Sequence, residues 1–256
     1  MRSCLSVGFF FCSMLACNPG ATDEIERGTP PAETDLDGDG LTDAQEADLG
    51  TDPQSVDSDA DGYWDGDEVK EGSDPNDAES LIYAGHWPYN PRNDEMEDPG
   101  WEGSPAVGTV LPRFKALDQY GEEVDLYDFA LQGRRIALEV GTRHCSPCKG
   151  LAEFYATGDA SVMDDYPWFR RPDYEDVGRQ IDEDEIYWVT VLFTSGTPME
   201  PLDNVWWHEQ WPNHKIAVLF DVDRQLKEYL DVVAMPHLAV LDEQMRLEAY
   251  STGGPT

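Results

Sequence analysis

Between Asp35 and Glu79 the chain carries 17 acidic side chains against a single basic one, Lys70, a density that leaves no room for an ordinary apolar core in that stretch. The acid is periodic. Asp35-Leu36-Asp37-Gly38-Asp39-Gly40-Leu41-Thr42-Asp43-Ala44-Gln45-Glu46 returns 22 residues later as Asp57-Ser58-Asp59-Ala60-Asp61-Gly62-Tyr63-Trp64-Asp65-Gly66-Asp67-Glu68, and Gly50-Thr51-Asp52-Pro53 returns at the same offset as Gly72-Ser73-Asp74-Pro75. A match that extends past the loops is a tandem repeat, not acidic low complexity. In each copy carboxylates stand at loop positions 1, 3, 5, 9 and 12, a main-chain carbonyl is offered at position 7, and Gly at position 6 permits the tight turn; this is the oxygen spacing a hard cation requires. The predicted ligands are Asp35, Asp37, Asp39, the Leu41 carbonyl, Asp43 and Glu46 in the first loop. In the second they are Asp57, Asp59, Asp61, the Tyr63 carbonyl, Asp65 and Glu68. Such a segment folds when the ion cancels the repulsion, so calcium is the expected cofactor, bound with dissociation constants of about 10⁻⁴ to 10⁻³ M.

On these residues the stretch resembles thrombospondin type 3 repeats and the related calcium repeats of secreted bacterial proteins, over residues 35–80. The resemblance implies short, helix-poor units wrapped around calcium. Full EF-hands are not expected, because neither loop is flanked by two long helices.

The second constraint is chemical. Cys145-Ser146-Pro147-Cys148 joins an apolar run, Arg135 to Gly141, to a helical pattern from Cys148 to Tyr155. Cysteines at a helix N-terminus face unpaired N–H groups that stabilise a thiolate, lowering a thiol pKa from about 8.5 into a range of about 3.5 to 7.5. Dithiol chemistry follows, with Cys145 as nucleophile and Cys148 as resolving thiol. A structural role is disfavoured, because a bridge across two residues closes too small a loop to stabilise a fold. Zinc lacks a second half-site: there is no other cysteine pair, and His144, His208, His214 and His237 make no compact ligand unit, although His208 and His214 come near that spacing.

The remaining cysteines, Cys4, Cys12 and Cys17, lie in an N-terminal segment with Arg2 before a short apolar run from Leu5 to Ala16, the pattern of an export signal over residues 1–16. Met14-Leu15-Ala16-Cys17 resembles a bacterial lipobox, which implies lipidation of Cys17, a membrane anchor and residence in the cell envelope. Residues 17–34 would then form a tether. Residues 81–104, with Pro88, Pro91 and Pro99, read as a stiff linker. A net charge of −36 excludes nucleic acid as a partner.

From 105 to 256 the pattern alternates. Strands are predicted at 113–117, 123–126, 136–140, 187–193, 216–220, 238–241 and 246–250, and helices at 148–157, 173–181, 202–211 and 224–230. The fold class is α/β with a mixed central sheet, closed by an antiparallel hairpin around Asp242-Glu243-Gln244. Val107-Gly108 through Phe114, Leu117-Asp118-Gln119-Tyr120-Gly121, Val124-Asp125-Leu126, the Ile136 to Gly141 strand and the C-x-x-C follow the order of thioredoxin-like oxidoreductases of the TlpA or ResA type, which this domain resembles over nearly its whole length. The resemblance implies a thioredoxin-like fold, disulfide-containing or thiol protein substrates, a thiol electron donor and no organic cofactor. It also implies that Pro236, in Val233-Ala234-Met235-Pro236-His237, is the cis proline facing the cysteines, with Met235 a substrate contact. Glu139 stands where that family places a buried acid serving the resolving thiol; strand alternation alone also allows an outward, partly solvated Glu.

Three departures stand out. His144 replaces the usual Trp before the first cysteine, beside the nucleophile and any substrate. About 30 residues before Tyr187 form an insertion with Pro167-Trp168-Phe169-Arg170-Arg171-Pro172, and the last strand reaches nearly to Thr256, where the family has a final helix. Three other functions fit less well. Thr142-Arg143-His144-Cys145 matches the T-x-x-C of peroxiredoxins, but their preceding proline is Leu138 here; SCO-type copper proteins space their cysteines by three; and a non-catalytic calcium-dependent binding protein would have no need of both cysteines.

Overall fold

The computed structural model describes residues 34–166, 174–193 and 203–251. The export signal, the lipobox with Cys17, nearly all of the tether and the Pro167–Pro172 aromatics lie outside them. Among the described residues no helix is long and apolar enough to cross a membrane.

Each acidic loop runs into one short helix, α1 (Asp43–Leu49) and α2 (Asp65–Glu71). Thr42 starts α1 with a reciprocal cap: its side chain accepts from the Gln45 N–H, and the Gln45 side chain accepts from the Thr42 N–H. Gly50 and Gly72 close the helices in the left-handed conformation, at φ 88° and 96°, which only glycine adopts without strain.

The second body is a seven-stranded mixed sheet. Its strands are β1 (Lys115–Leu117), β2 (Glu123–Asp125), β3 (Arg135–Gly141), β4 (Ile186–Phe193), β5 (Ile216–Asp221), β6 (His237–Leu241) and β7 (Leu247–Tyr250), in the spatial order β2-β1-β5-β4-β3-β6-β7. β3, β4 and β5 are parallel to one another, whereas β6 and β7 add on antiparallel as the predicted hairpin. Four helices complete the domain: α3 (Ser146–Thr157), α4 (Tyr174–Asp182), α5 (Asp203–Gln210) and α6 (Gln225–Tyr229). The predicted strand 123–126 loses Leu126 to a 3-10 turn over Leu126–Phe129, because the Asp125 side chain caps the Tyr127 N–H.

Alternation along the central strand divides the core. Ile136, Leu138 and Val140 pack with Val189, Val191 and Leu219 on one face, together with Leu226 of α6. Ala137 faces the other side, where Cys148, Leu151, Trp188 and Trp207 gather beneath α3 and α5. Burial of these side chains contributes about 1.5–3 kcal/mol each and dominates the domain's stability.

Residues 81–104 differ from a free linker. Tyr83 and Trp87 are buried in the first of the two cores, and Trp101 packs edge-on against Phe114 and Tyr229. The segment is pinned by polar anchors as well. Buried Asp128 accepts hydrogen bonds from Tyr83 Oη (2.6 Å) and Asn93 Nδ2 (2.5 Å), and Asp118 accepts from Trp87 Nε1 (2.8 Å). Arg113 ties Asp94 to Asp125, at 2.6 Å to each. Proline content signals chain stiffness but is silent on the partners of the intervening aromatics, and those partners turn the segment into a strap across the sheet domain. The strap also reaches the repeats, since Tyr63 Oη donates to the Trp87 carbonyl at 2.7 Å and Lys70 and Glu71 meet Tyr89 Oη.

Candidate active site and cation loops

The C-terminal end of β3 leads directly into the cysteines. Cys145 caps α3, and its Sγ accepts a hydrogen bond from the Cys148 N–H at 3.2 Å, so the helix N-terminus is aimed at the outer sulfur. Cys145 and Cys148 form a disulfide. Cys145 retains 6% exposure and Cys148 none, the order expected of an attacking and a resolving sulfur. Gly141 explains its own presence: a Cβ there would lie 2.8 Å from Cys148 Sγ.

The Met235–Pro236 bond is cis. The β3–β6 ladder pairs Val140 with His237, and one step further along it Pro236 falls beside Gly141, at the strand end that carries the cysteines. Met235 is 38% exposed next to it, and His144, immediately before Cys145 in the chain, is exposed.

Glu139 is fully buried on the same sheet face as the cysteines. Thr190 Oγ1 donates to its Oε2 at 3.1 Å, whereas Oε1 has no partner. Burial pushes its pKa up to about 8, against the opposing pull of hydrogen bonds from Thr190 and Trp188. The carboxyl borders a cavity of about 10 Å³, room for one water, lined also by Trp188, Trp207 and Asn213. Thr190 and Trp188 were not singled out from the sequence. The signal was there, since a parallel neighbour strand places Thr190 directly opposite Glu139. A further link joins α5 to the active-site turn: Arg143 pairs with Asp203 at 2.9 Å and stacks on Trp206 at 4.5 Å.

In the repeats, carboxylate oxygens converge within 4.8 Å in three groups: Asp35, Asp37 and Asp39; Asp57, Asp59 and Asp61; and Asp39, Glu46 and Asp65. The third group crosses between the copies. Asp65, expected to serve its own loop, accepts there from the Ser58 N–H and hydroxyl and also stands beside Asp39 and Glu46 of the first loop. Asp43 accepts from the Leu36 N–H and belongs to none of the three groups, and neither does Glu68. Gly66 makes the crossing possible, donating its N–H to Asp39 Oδ2 at 2.9 Å where a Cβ would strike the Asp39 carbonyl at 2.3 Å. Buried oxygens of Asp37, Glu46, Asp59, Asp61 and Glu68 have no hydrogen-bond partner. Burial and neighbouring carboxylates raise the pKa of both Glu46 and Glu68 to about 7. Orphaned, mutually repelling oxygens at this spacing fit a hard divalent cation.

The family described as bacterial TSP3 repeat matches residues 35–55 and 57–78. Those matched segments lie ahead of the α/β domain with its seven-stranded mixed sheet. No curated protein sequence is significantly similar to it. Among solved structures, it is similar to the thioredoxin domain of a thiol-disulfide oxidoreductase from Bacteroides vulgatus, at 17% identity over 59% of this chain and 91% of that one, with a TM-score of 0.39. It is also similar to the pneumococcal exposed lipoprotein thioredoxin of Streptococcus pneumoniae, at 18% identity over 56% and 90%, with a TM-score of 0.38. A peroxidoxin from Mycobacterium tuberculosis matches at 12% identity over 56% and 82%, with a TM-score of 0.39.

Proposed function

We propose that the chain is an exported, lipid-anchored thiol-disulfide oxidoreductase carried on calcium-stabilised repeats. The observation that supports this most directly is the Cys145–Cys148 disulfide at the tip of α3, with the outer sulfur facing a helix N-terminus and a cis proline at the adjoining strand end.

In the reduced protein, the Cys145 thiolate attacks a disulfide of a substrate protein, forms a mixed disulfide and expels one substrate thiolate, which takes up a proton. Cys148 then loses its proton, with Glu139 on the same sheet face as the acceptor, and attacks Cys145 Sγ. The second substrate thiol leaves. The substrate has gained two electrons, the Cys145–Cys148 bond has re-formed, and an external thiol donor reduces it again. A carboxyl pushed up to about 8 holds a proton far more tightly than an ordinary carboxylate, which is what makes Glu139 suited to take one from a thiol. Met235, beside the cis proline, and His144 border the surface a substrate strand would meet.

In the repeats, Asp35, Asp37, Asp39, Glu46 and Asp65, with Asp57, Asp59, Asp61 and Glu68, would hold calcium, with the Leu41 and Tyr63 carbonyls completing the loops. The ion supplies charge neutralisation and folding energy, not redox chemistry. Export and lipidation at Cys17 rest on the N-terminal pattern; Cys17→Ala is expected to move the protein from the membrane to the soluble fraction.

The deciding test is a redox titration of the full chain in calcium against glutathione and dithiothreitol buffers, read by thiol alkylation and mass. A two-electron transition of the Cys145–Cys148 pair between about −200 and −270 mV is expected, with the lower end marking a reductase. Absence of a reversible disulfide at every poise overturns the assignment.

A further inference from the structure

One polar cluster takes no part in dithiol exchange or in the acidic loops. His208, on α5, and His214, in the turn between α5 and β5, bring their ring centroids to 5.5 Å at an interplanar angle of 69°. Tyr120, from the turn between β1 and β2, joins them: its Oη lies 3.2 Å from His214 Nδ1, and its ring is 5.6 Å from that of His208. Two segments far apart in sequence thus deliver two imidazoles and a phenol to one place on the surface. His214 is exposed, and His208 Nδ1 is buried with no hydrogen-bond partner.

We propose that His208 and His214 form a two-imidazole site for a divalent transition cation of the zinc or copper(II) class, with Tyr120 as the positioning hydroxyl for His214. The spacing fits: two imidazoles sharing one tetrahedral ion at nitrogen–metal distances of about 2.0–2.1 Å hold their ring centres about 5 Å apart. The hydroxyl at His214 Nδ1 is the outer partner that fixes ring orientation and leaves Nε2 as the donor. The His208 ring is half-buried and its Nδ1 has no hydrogen-bond partner, so a donor nitrogen is free to serve a cation. Nitrogen donors select this cation class, whereas the all-oxygen loops select calcium, so one chain would sort two kinds of metal by donor chemistry. The site would also brace α5, whose opposite end holds Arg143, two residues before Cys145.

The experiment uses the full chain in its disulfide form, with calcium in excess so that the carboxylate loops are filled, and titrates zinc alone by calorimetry and cobalt(II) alone by visible absorption. One zinc equivalent and the bands of tetrahedral cobalt are expected. His214→Ala, at an exposed position, is expected to abolish both while thermal unfolding in calcium is unchanged; His208→Gln is expected to do the same, and Tyr120→Phe to weaken zinc binding about tenfold. Zinc uptake that is absent, or that persists unaltered in His214→Ala, overturns the proposal and leaves the rings as a packing pair.

Discussion

Glu139 in the sheet and Glu46 in the first repeat are equally sealed from water, yet the two regions deal with the charge in opposite ways. Glu139 is a lone carboxyl in an apolar layer, donated to by Thr190, and a single proton removes its charge. Glu46 sits among Asp37, Asp39 and Asp65, and no single proton relieves that crowd. A divalent ion does. On the proposed reading the sheet domain carries its stabilising contacts within the chain, whereas the repeats would depend on a species from solution, and the strap joins the two regimes.

If the regions differ in this way, the largest effect belongs to the sheet core. Leu138→Ala, at a fully buried position, is expected to cost about 2–5 kcal/mol. In denaturant unfolding the loss should be equal with calcium and with chelator; a loss that depended on calcium would break the distinction. Next comes the ion itself. Raising free calcium to about a hundred times its dissociation constant should stabilise the repeats by about 2.7 kcal/mol, seen as slowed amide exchange over residues 35–80. Equal slowing across β3 and β4 would show that the sheet needs the ion too.

A graded effect follows from Glu139. Folding raises its pKa from 4.5 to about 8, so the folded protein holds a proton that the unfolded chain has released. Its contribution is complete below about pH 4.5 and is lost as pH rises through about 8, at up to about 1.4 kcal/mol per pH unit. The Glu139→Gln variant should lack that slope, so that the stability difference between wild type and variant falls with pH between about 4.5 and 8; a difference that does not vary with pH would mean that the carboxyl is ionised in the fold. The smallest effect tests the join. Tyr63→Phe deletes the hydrogen bond to the Trp87 carbonyl, at about 1 kcal/mol, and should lower the stability of the repeats in calcium by about that amount while leaving amide exchange in β3 and β4 unchanged.

Much of this architecture was legible in the sequence because it rests on local signals. Alternation along Ile136 to Val140 marked the two faces of β3, and Gly and Pro punctuation bounded α3, α5 and the closing hairpin. The acidic spacing marked both loops. What escaped are contacts set by tertiary placement. Tyr83 and Trp87 read as ordinary residues of a proline-rich stretch until Asp128 and Asp118 are opposite them. Asp65 obeys its own loop's spacing, yet it is Gly66, small enough to let Asp39 approach, that places Asp65 with the neighbouring repeat. The His208–Tyr120 neighbourhood likewise exists only once β1 and α5 meet, which Asn204 enforces by donating to the Leu117 and Asp118 carbonyls.

The strap also has a mechanical meaning. Chain that is packed from Tyr83 to Trp101 offers no slack between the repeats and the sheet, so tension applied at the repeats arrives at Trp87 and Asp128 without first straightening a coil. The disulfide is mounted on an arm rather than a leash, and its orientation relative to residues 35–80 is part of the molecule's shape.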